Sequence, residues 1–199
     1  MKTKRLVIVA AGVLLVGLLS VVFWTQRQRS NAPQVPEGAS PGPVTRLGSL
    51  SLPAVTSWTK YSQQFSSSME AVYYKPSAGG AALSAKVFKT ENMMLPGILP
   101  PERIGEAKVQ IEKALTDPQM SSGSPATIQS SQIVSYRKHP ALSMVWDSRS
   151  AGKVTHIRFL LFNRGASQYH ITLFDHSHTT ATKKQADQFW QALTDGLRD

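Results

Sequence analysis

The stretch "VTHIRFLLFNRGASQYHITL", residues 154–173, carries the plainest strand signal in the chain. In its second half Tyr169, Ile171 and Leu173 alternate with Gln168, His170 and Thr172, the period-two pattern of a strand with one buried and one polar face. In its first half Ile157, Phe159 and Leu161 share a face. Between the halves lies Arg164-Gly165-Ala166, where glycine can adopt the left-handed backbone that a tight connection needs. Setting Phe159 opposite Ile171 places both apolar sets on one side of an antiparallel pair, and that register predicts a three-residue loop over 164–166. The same register sets His156 opposite Phe174.

Toward the N-terminus, two further strands are expected at about 127–137 and 141–149, with Ala151-Gly152 turning the chain into the strand at about 153–163. Together with 167–174 they make a four-stranded antiparallel meander. Toward the C-terminus, Ala186, Phe189, Trp190, Leu193 and Leu197 recur at helical spacing and predict a helix over roughly 179–197, with Thr182 and Gln185 at capping-box spacing. Before the meander, "LPPERIGEAKVQIEKALTDP" predicts another helix. Pro101 suits its opening position, and Glu102 and Glu106 sit near the positive end of its dipole. Ile104, Ala107, Ile111, Ala114 and Leu115 form its buried stripe, and Asp117-Pro118 ends it. The segments "LGSLSLP", "MEAVYYKP" and "ALSAKVFKTE" read as short strands, the last two separated by the turn "SAGG" at 77–80. The order strands, helix, meander, helix predicts an α+β fold in which helices pack on an antiparallel sheet.

This order resembles the PsbP-like family of α-β-α sandwiches. The matching stretches are "HPALSMVWDS", "VTHIRFLLFNRGASQYHITL" and "ADQFWQALTDGL", within about the last sixty residues. In that family a small residue and Pro-Ala often precede the meander, and an F-x-x-x-L helix closes the domain. His139 stands where the family more often has Gly. The resemblance implies ligand or protein binding, mostly without catalysis, and it transfers no site residue.

At the other end, "LVIVAAGVLLVGLLSVVFW", residues 6–24, contains no charge. As a helix it would span about 28 Å, close to the roughly 30 Å hydrocarbon core of a bilayer, and Trp24 would sit at the interface. A cleaved signal peptide has a shorter apolar core and an A-x-A site, and "VVFWTQRQRS" offers none. The expectation is a retained single-pass transmembrane anchor in the inner (cytoplasmic) membrane. Lys2, Lys4, Arg5 and the α-amino group outweigh Arg27 and Arg29, so the positive-inside rule places the C-terminal domain in the periplasm. Residues 1–5 form a basic flank, and 25–46 form a linker of polyproline character with Pro33, Pro36, Pro41 and Pro43. Residues 47–199 form the extracytoplasmic α+β domain.

The net charge is +10. Half of it belongs to Lys2, Lys4, Arg5, Arg27 and Arg29 beside the apolar run. No run of five or six basic residues and no basic stripe interleaved with aromatics occurs, which argues against a nucleic-acid partner. The chain has no Cys. A disulfide framework, thiolate metal sites, a cysteine nucleophile and an acylated lipobox Cys are therefore excluded.

The stretch "FDHSHTT", residues 174–180, concentrates titratable chemistry. If the strand continued, His176 and His178 would point the same way about 6.6 Å apart. In the register above, His156 is the diagonal neighbour of His176. His156, His176 and His178 are thus candidate ligands for a zinc or copper ion, and a metal-binding protein or metal-dependent enzyme is one functional reading. The competing reading, which we prefer, is a corner where Asp, Ser and Thr cap the coming helix. Nucleophilic catalysis has less support. No G-x-S-x-G occurs, and "SAGGAA" lacks the Lys-Ser/Thr and the following helix of a phosphate loop. In "MMLPGIL", Met93, Met94, Leu95, Ile98 and Leu99 form an apolar Pro-containing loop that suits a partner-binding lip. The sequence therefore predicts a non-enzymatic envelope protein, an accessory or assembly factor with a protein partner and no cofactor, with a toxin-neutralising immunity protein as a further alternative.

Overall fold

The computed structural model describes residues 39–77, 82–91, 104–119, 121, 125–150, 152–165, 167–177 and 179–198. The expected membrane span at 6–24, most of the expected linker, the "MMLPGIL" segment and His178 lie outside the described residues. Among the described residues no helix is long and apolar enough to cross a membrane.

Among the described residues the fold is α+β, with an eight-stranded antiparallel sheet and two helices. Its strands are β1 (Ser40–Pro41), β4 (Trp58–Ser66), β5 (Met69–Pro76), β6 (Leu83–Glu91), β7 (Thr127–Tyr136), β8 (His139–Ser150), β9 (Lys153–Arg164) and β10 (Ser167–Asp175). Their spatial order is β1-β4-β5-β6-β10-β9-β8-β7. A separate two-stranded ribbon joins β2 (Arg46–Leu47) to β3 (Leu50–Ser51). Helix α1 (Ile104–Thr116) leads from β6 to β7 and packs on β7 and β8. Helix α2 (Thr180–Gly196) follows β10. Ser40 and Pro41 fall in the stretch expected to be linker, yet they pair with Ser62 and Tyr61 at the sheet edge. Strand β4 has no counterpart among the strands expected from sequence. Its composition, Trp58 followed mostly by Thr, Lys, Ser and Gln, suits a half-exposed strand near an edge and shows no clear alternation.

Apolar side chains are buried on both faces of the sheet. On one face Val72, Tyr74, Val87, Leu160, Phe162, Tyr169, Ile171 and Leu173 meet Ala186, Phe189, Leu193 and Leu197 of the α2 segment, and Leu47, Leu50 and Leu52 close the cluster. On the other, Leu142, Met144, Trp146, Ile157, Phe159, Leu161 and Phe174 meet Ala107 and Ile111 of α1. Ile104, Ala107, Ile111 and Ala114 are the buried residues of α1, and Ala186, Phe189 and Leu193 those of α2, as their spacing predicts, while Leu115 and Trp190, expected in the same stripes, are only partly buried against the two cores.

Two-sided burial corrects the expected hairpin register. The pair β9–β10 sets Arg164 opposite Ser167, so the loop has two residues, Gly165 and Ala166. Phe159 lies opposite Thr172, Ile171 opposite Leu160, and His156 opposite Asp175 rather than Phe174. The expectation assumed one apolar face for both strands. In β9 every residue from 159 to 162 is buried, so Ile171 pairs with Leu160 on the α2 side while Phe159 serves the α1 side. Gly165 has φ +54°, which the two-residue connection requires.

Candidate functional site

The corner after β10 is built around Asp175, which is 3% exposed. The Ser177 N–H donates to its Oδ1 (3.1 Å), and the Thr182 hydroxyl donates to its Oδ2 (3.3 Å). The His176 N–H donates to the Ala82 carbonyl (2.7 Å), holding the chain against the start of β6. Thr179 is the N-cap of α2. Its side chain accepts from the Thr182 N–H, and the Thr182 hydroxyl accepts from the Thr179 N–H. The capping box is therefore Thr179 with Thr182, not Thr182 with Gln185. Asp175 holds Thr182 and so draws the helix start to Thr180.

The corrected register separates two of the three candidate histidines. His156 and Asp175 are cross-strand partners and share the α2 side of the sheet. His176 lies on the α1 side. Its Nδ1 meets the Thr155 hydroxyl at 3.1 Å, and its ring stacks parallel to Phe174. Burial pulls the His176 pKa below its usual value, partly opposed by the Asp175 charge. The expectation that His156 and His176 share a face is thus overturned, and His178 lies outside the described residues. His156 contacts a carboxylate instead: its Nδ1 is 2.7 Å from Asp147 Oδ1 on β8, and Gln129 Nε2 donates to Asp147 Oδ2 (3.0 Å). Among the described residues no group of three His, Asp or Glu could hold a metal ion.

A second constellation lies on the α1 side of the opposite half of the sheet, and sequence reasoning did not identify it. Tyr73 on β5, Lys86 on β6 and Thr172 on β10 stand side by side across three strands. The Lys86 Nζ lies 4.7 Å from the ring centre of Phe88, 5.4 Å from that of Tyr73 and 5.5 Å from that of Phe65. Three rings favour the ammonium, but burial outweighs them and pulls its pKa down to about 7. His170 packs 5.8 Å from Phe88 and 5.8 Å from Phe159, and its Nε2 meets Gln168 Oε1 at 2.8 Å. Burial, and then the Lys86 charge, lower the His170 pKa to about 3. Phe65 closes the group from the β4–β5 hairpin. A register shift between Gln64 and Ser66 leaves Phe65 unpaired in the ladder, its ring reaches Phe88 (6.1 Å), and the residue remains 44% exposed. The local signal for this cluster was the alternation in "ALSAKVFKTE". Ala85 and Val87 face the α2 side, so Ser84, Lys86 and Phe88 must share the other face.

No family model matches the chain, and no curated protein matches it. Among solved structures, the chain is similar to a protein of unknown function, PA94, from Pseudomonas aeruginosa, with 16% identity, a TM-score of 0.41, and coverage of 70% of this chain and 94% of that one. It is also similar to cyanobacterial PsbP (CyanoP) from Synechocystis sp. PCC 6803, with 9% identity, a TM-score of 0.49, and coverage of 83% of this chain and 98% of that one. Both TM-scores fall below 0.5, so the α+β architecture rests on the chain's own geometry.

Proposed function

We propose that the chain is a single-pass envelope protein whose α+β domain works without catalysis, as a binding or assembly subunit on the periplasmic side of the inner membrane. The observation that carries the reading is the Phe65 ring, exposed at the rim of the Lys86–Phe88 cluster and held by strands on both sides of its hairpin. An aromatic side chain fixed on rigid backbone loses little entropy on docking, and such rings are enriched where partners bind most tightly. Lys86, buried beneath it at 7% exposure, packs against the Phe65, Tyr73 and Phe88 rings and so supports the exposed ring from below. The apolar segment with Met93, Met94, Leu95, Ile98 and Leu99, which follows β6 in sequence and lies outside the described residues, is a second candidate for partner binding on its composition alone. The likeness of "HPALSMVWDS" and "ADQFWQALTDGL" to the PsbP-like family agrees with a binding role, and the charge-free run at 6–24 supports the anchor.

A photo-crosslinking residue at position 65 of the full chain, expressed in cells, should trap one protein adduct. Phe65→Glu should abolish its co-purification while leaving the unfolding temperature within a degree or two. Co-purification that survives both Phe65→Glu and deletion of residues 93–99 would remove this surface from the proposal. Release of the full chain from vesicles by alkaline carbonate would remove the anchor.

A further inference from the structure

We infer that the chain pairs with a second copy of itself along β7, extending the antiparallel sheet across a two-fold axis. β7 is the outer strand at the end of the sheet opposite β1, and among the described residues only β8 pairs with it. An outer strand leaves a row of N–H and C=O groups to be matched, and natural edges are usually blunted with charge, proline or a bulge. The strand "TIQSSQIVSY" has neither a charged residue nor a proline, in a chain that is 17% charged. Its one irregularity is the register shift between Ile128 and Ser130. There the Gln129 side chain turns back to Asp147.

Beyond that shift the ladder is regular over residues 130–136, whose midpoint is Ile133. Ile133 is 50% exposed, and Val109 of α1 is 58% exposed. Ile133 shares the α1 side with Leu142, its partner on β8, and lies beside Gly105, one helical turn before Val109. A two-fold axis normal to the sheet generates antiparallel pairing, the geometry of every other neighbour in this sheet. Only a register in which paired residues share a face is allowed. Centring the axis on Ile133 satisfies that condition and uses the whole regular run. Ile133 then meets its own copy, Gln132 meets Val134, Ser131 meets Ser135, and Ser130 meets Tyr136.

Charge favours a second copy as the occupant. An isologous contact repeats each residue of one surface on both sides, so a charged strand would repel itself, and this one carries none. Past the paired run, the Arg137-Lys138 turn of one copy comes beside Gln129 and the Asp147 carboxylate of the other, which are opposite in sign. The helix rim above carries Lys108 and Glu112, paired to each other at 2.7 Å and neutral together.

Because the chain has no Cys, single introduced thiols report the contact. Ile133→Cys in the full chain, oxidised in membranes or detergent, should give a disulfide-linked dimer, since directly opposed residues stand about 4.5–5.5 Å apart at Cα. Ser131→Cys mixed with Ser135→Cys should crosslink, whereas Ser131→Cys alone should not. Ser62→Cys serves as the collision control. It is exposed and about 29 Å away on β4, six inter-strand spacings across the sheet. Ile133→Lys should halve the mass found by light scattering without loss of the folded circular-dichroism signal. A folded Ile133→Cys chain that stays monomeric, or a Ser62→Cys chain that dimerises equally, overturns the inference. Since Phe65 and β7 lie at opposite ends of the sheet, failure here leaves the proposed binding surface intact, and the reverse.

Discussion

His170 shows at the scale of one residue how the sheet sets chemistry. Its ring is packed between Phe88 and Phe159 and beside a lysine, so the imidazolium is disfavoured and the pKa falls to about 3. The folded pKa lies below the unfolded value of about 6.5. As pH falls, the unfolded chain therefore binds the proton first. Stability from this group is complete above pH 6.5 and is lost as pH falls toward 3. At 1.36 kcal/mol per unit, roughly 3 kcal/mol should disappear by about pH 4. In His170→Gln, which stays neutral, the difference in unfolding free energy between pH 7 and pH 4 should shrink by about that amount. Equal acid sensitivity in denaturant titrations of both chains would show that the ring is not shielded. The sequence displayed His170 as one of the polar-face residues of β10. It did not display that Phe88 and Lys86, eighty residues earlier, would cover it.

The β7–β8 hairpin is the element whose local chemistry departs furthest from expectation. Arg137 and Lys138 form its two-residue connection with φ of +51° and +66°, a pattern normally supplied by Asn-Gly. Arg137 is held there by tertiary contacts: its guanidinium donates to the Asp195 carbonyl at the end of α2 (2.8 Å) and lies over the Tyr136 ring. The positive charge also suits the negative end of that helix. No described contact offers Lys138 a comparable anchor. Lys138→Gly should therefore stabilise the domain by about 0.5–1 kcal/mol, seen as a higher denaturation midpoint with an unchanged slope. Arg137→Gly should not, because it removes the two contacts along with the strain. At the other end of α2, the corner at "FDHSHTT" announced its caps through its Asp, Ser and Thr residues. Which threonine would act as N-cap depended on Asp175 reaching Thr182, a contact that no local spacing specifies.

At the scale of the whole molecule, the sheet is the wall between two apolar layers, and α2 seals the larger of them. Phe189 is the keystone of that layer. Its ring stacks on Trp58 of β4 at 3.8 Å and meets Tyr74 of β5 edge-on at 5.5 Å. Phe189→Ala should cost about 3–5 kcal/mol, by lost transfer energy and the cavity left behind. A loss below about 1.5 kcal/mol in thermal or denaturant unfolding would mean that α2 docks mainly through Leu193 and Leu197. The two halves of the chain are joined by β6 and β10, paired from Leu83–Asp175 to Glu91–Ser167. That junction brings Lys86 beneath Phe65 and opposite the His170 strand.

The sequence alone determined the class of element at most positions: the two helices with their buried stripes, the four strands of the meander, and the absence of thiol chemistry. These follow from periodicity and composition, which act over a few residues and need no knowledge of distant partners. Tertiary structure decided the register of β9 on β10, the separation of His156 from His176, and the assembly of the Lys86 cluster. A strand buried on both faces presents apolar side chains in unbroken succession, so its sequence no longer says which side each residue serves. That choice belongs to the helices on either face, and only the folded chain brings them there.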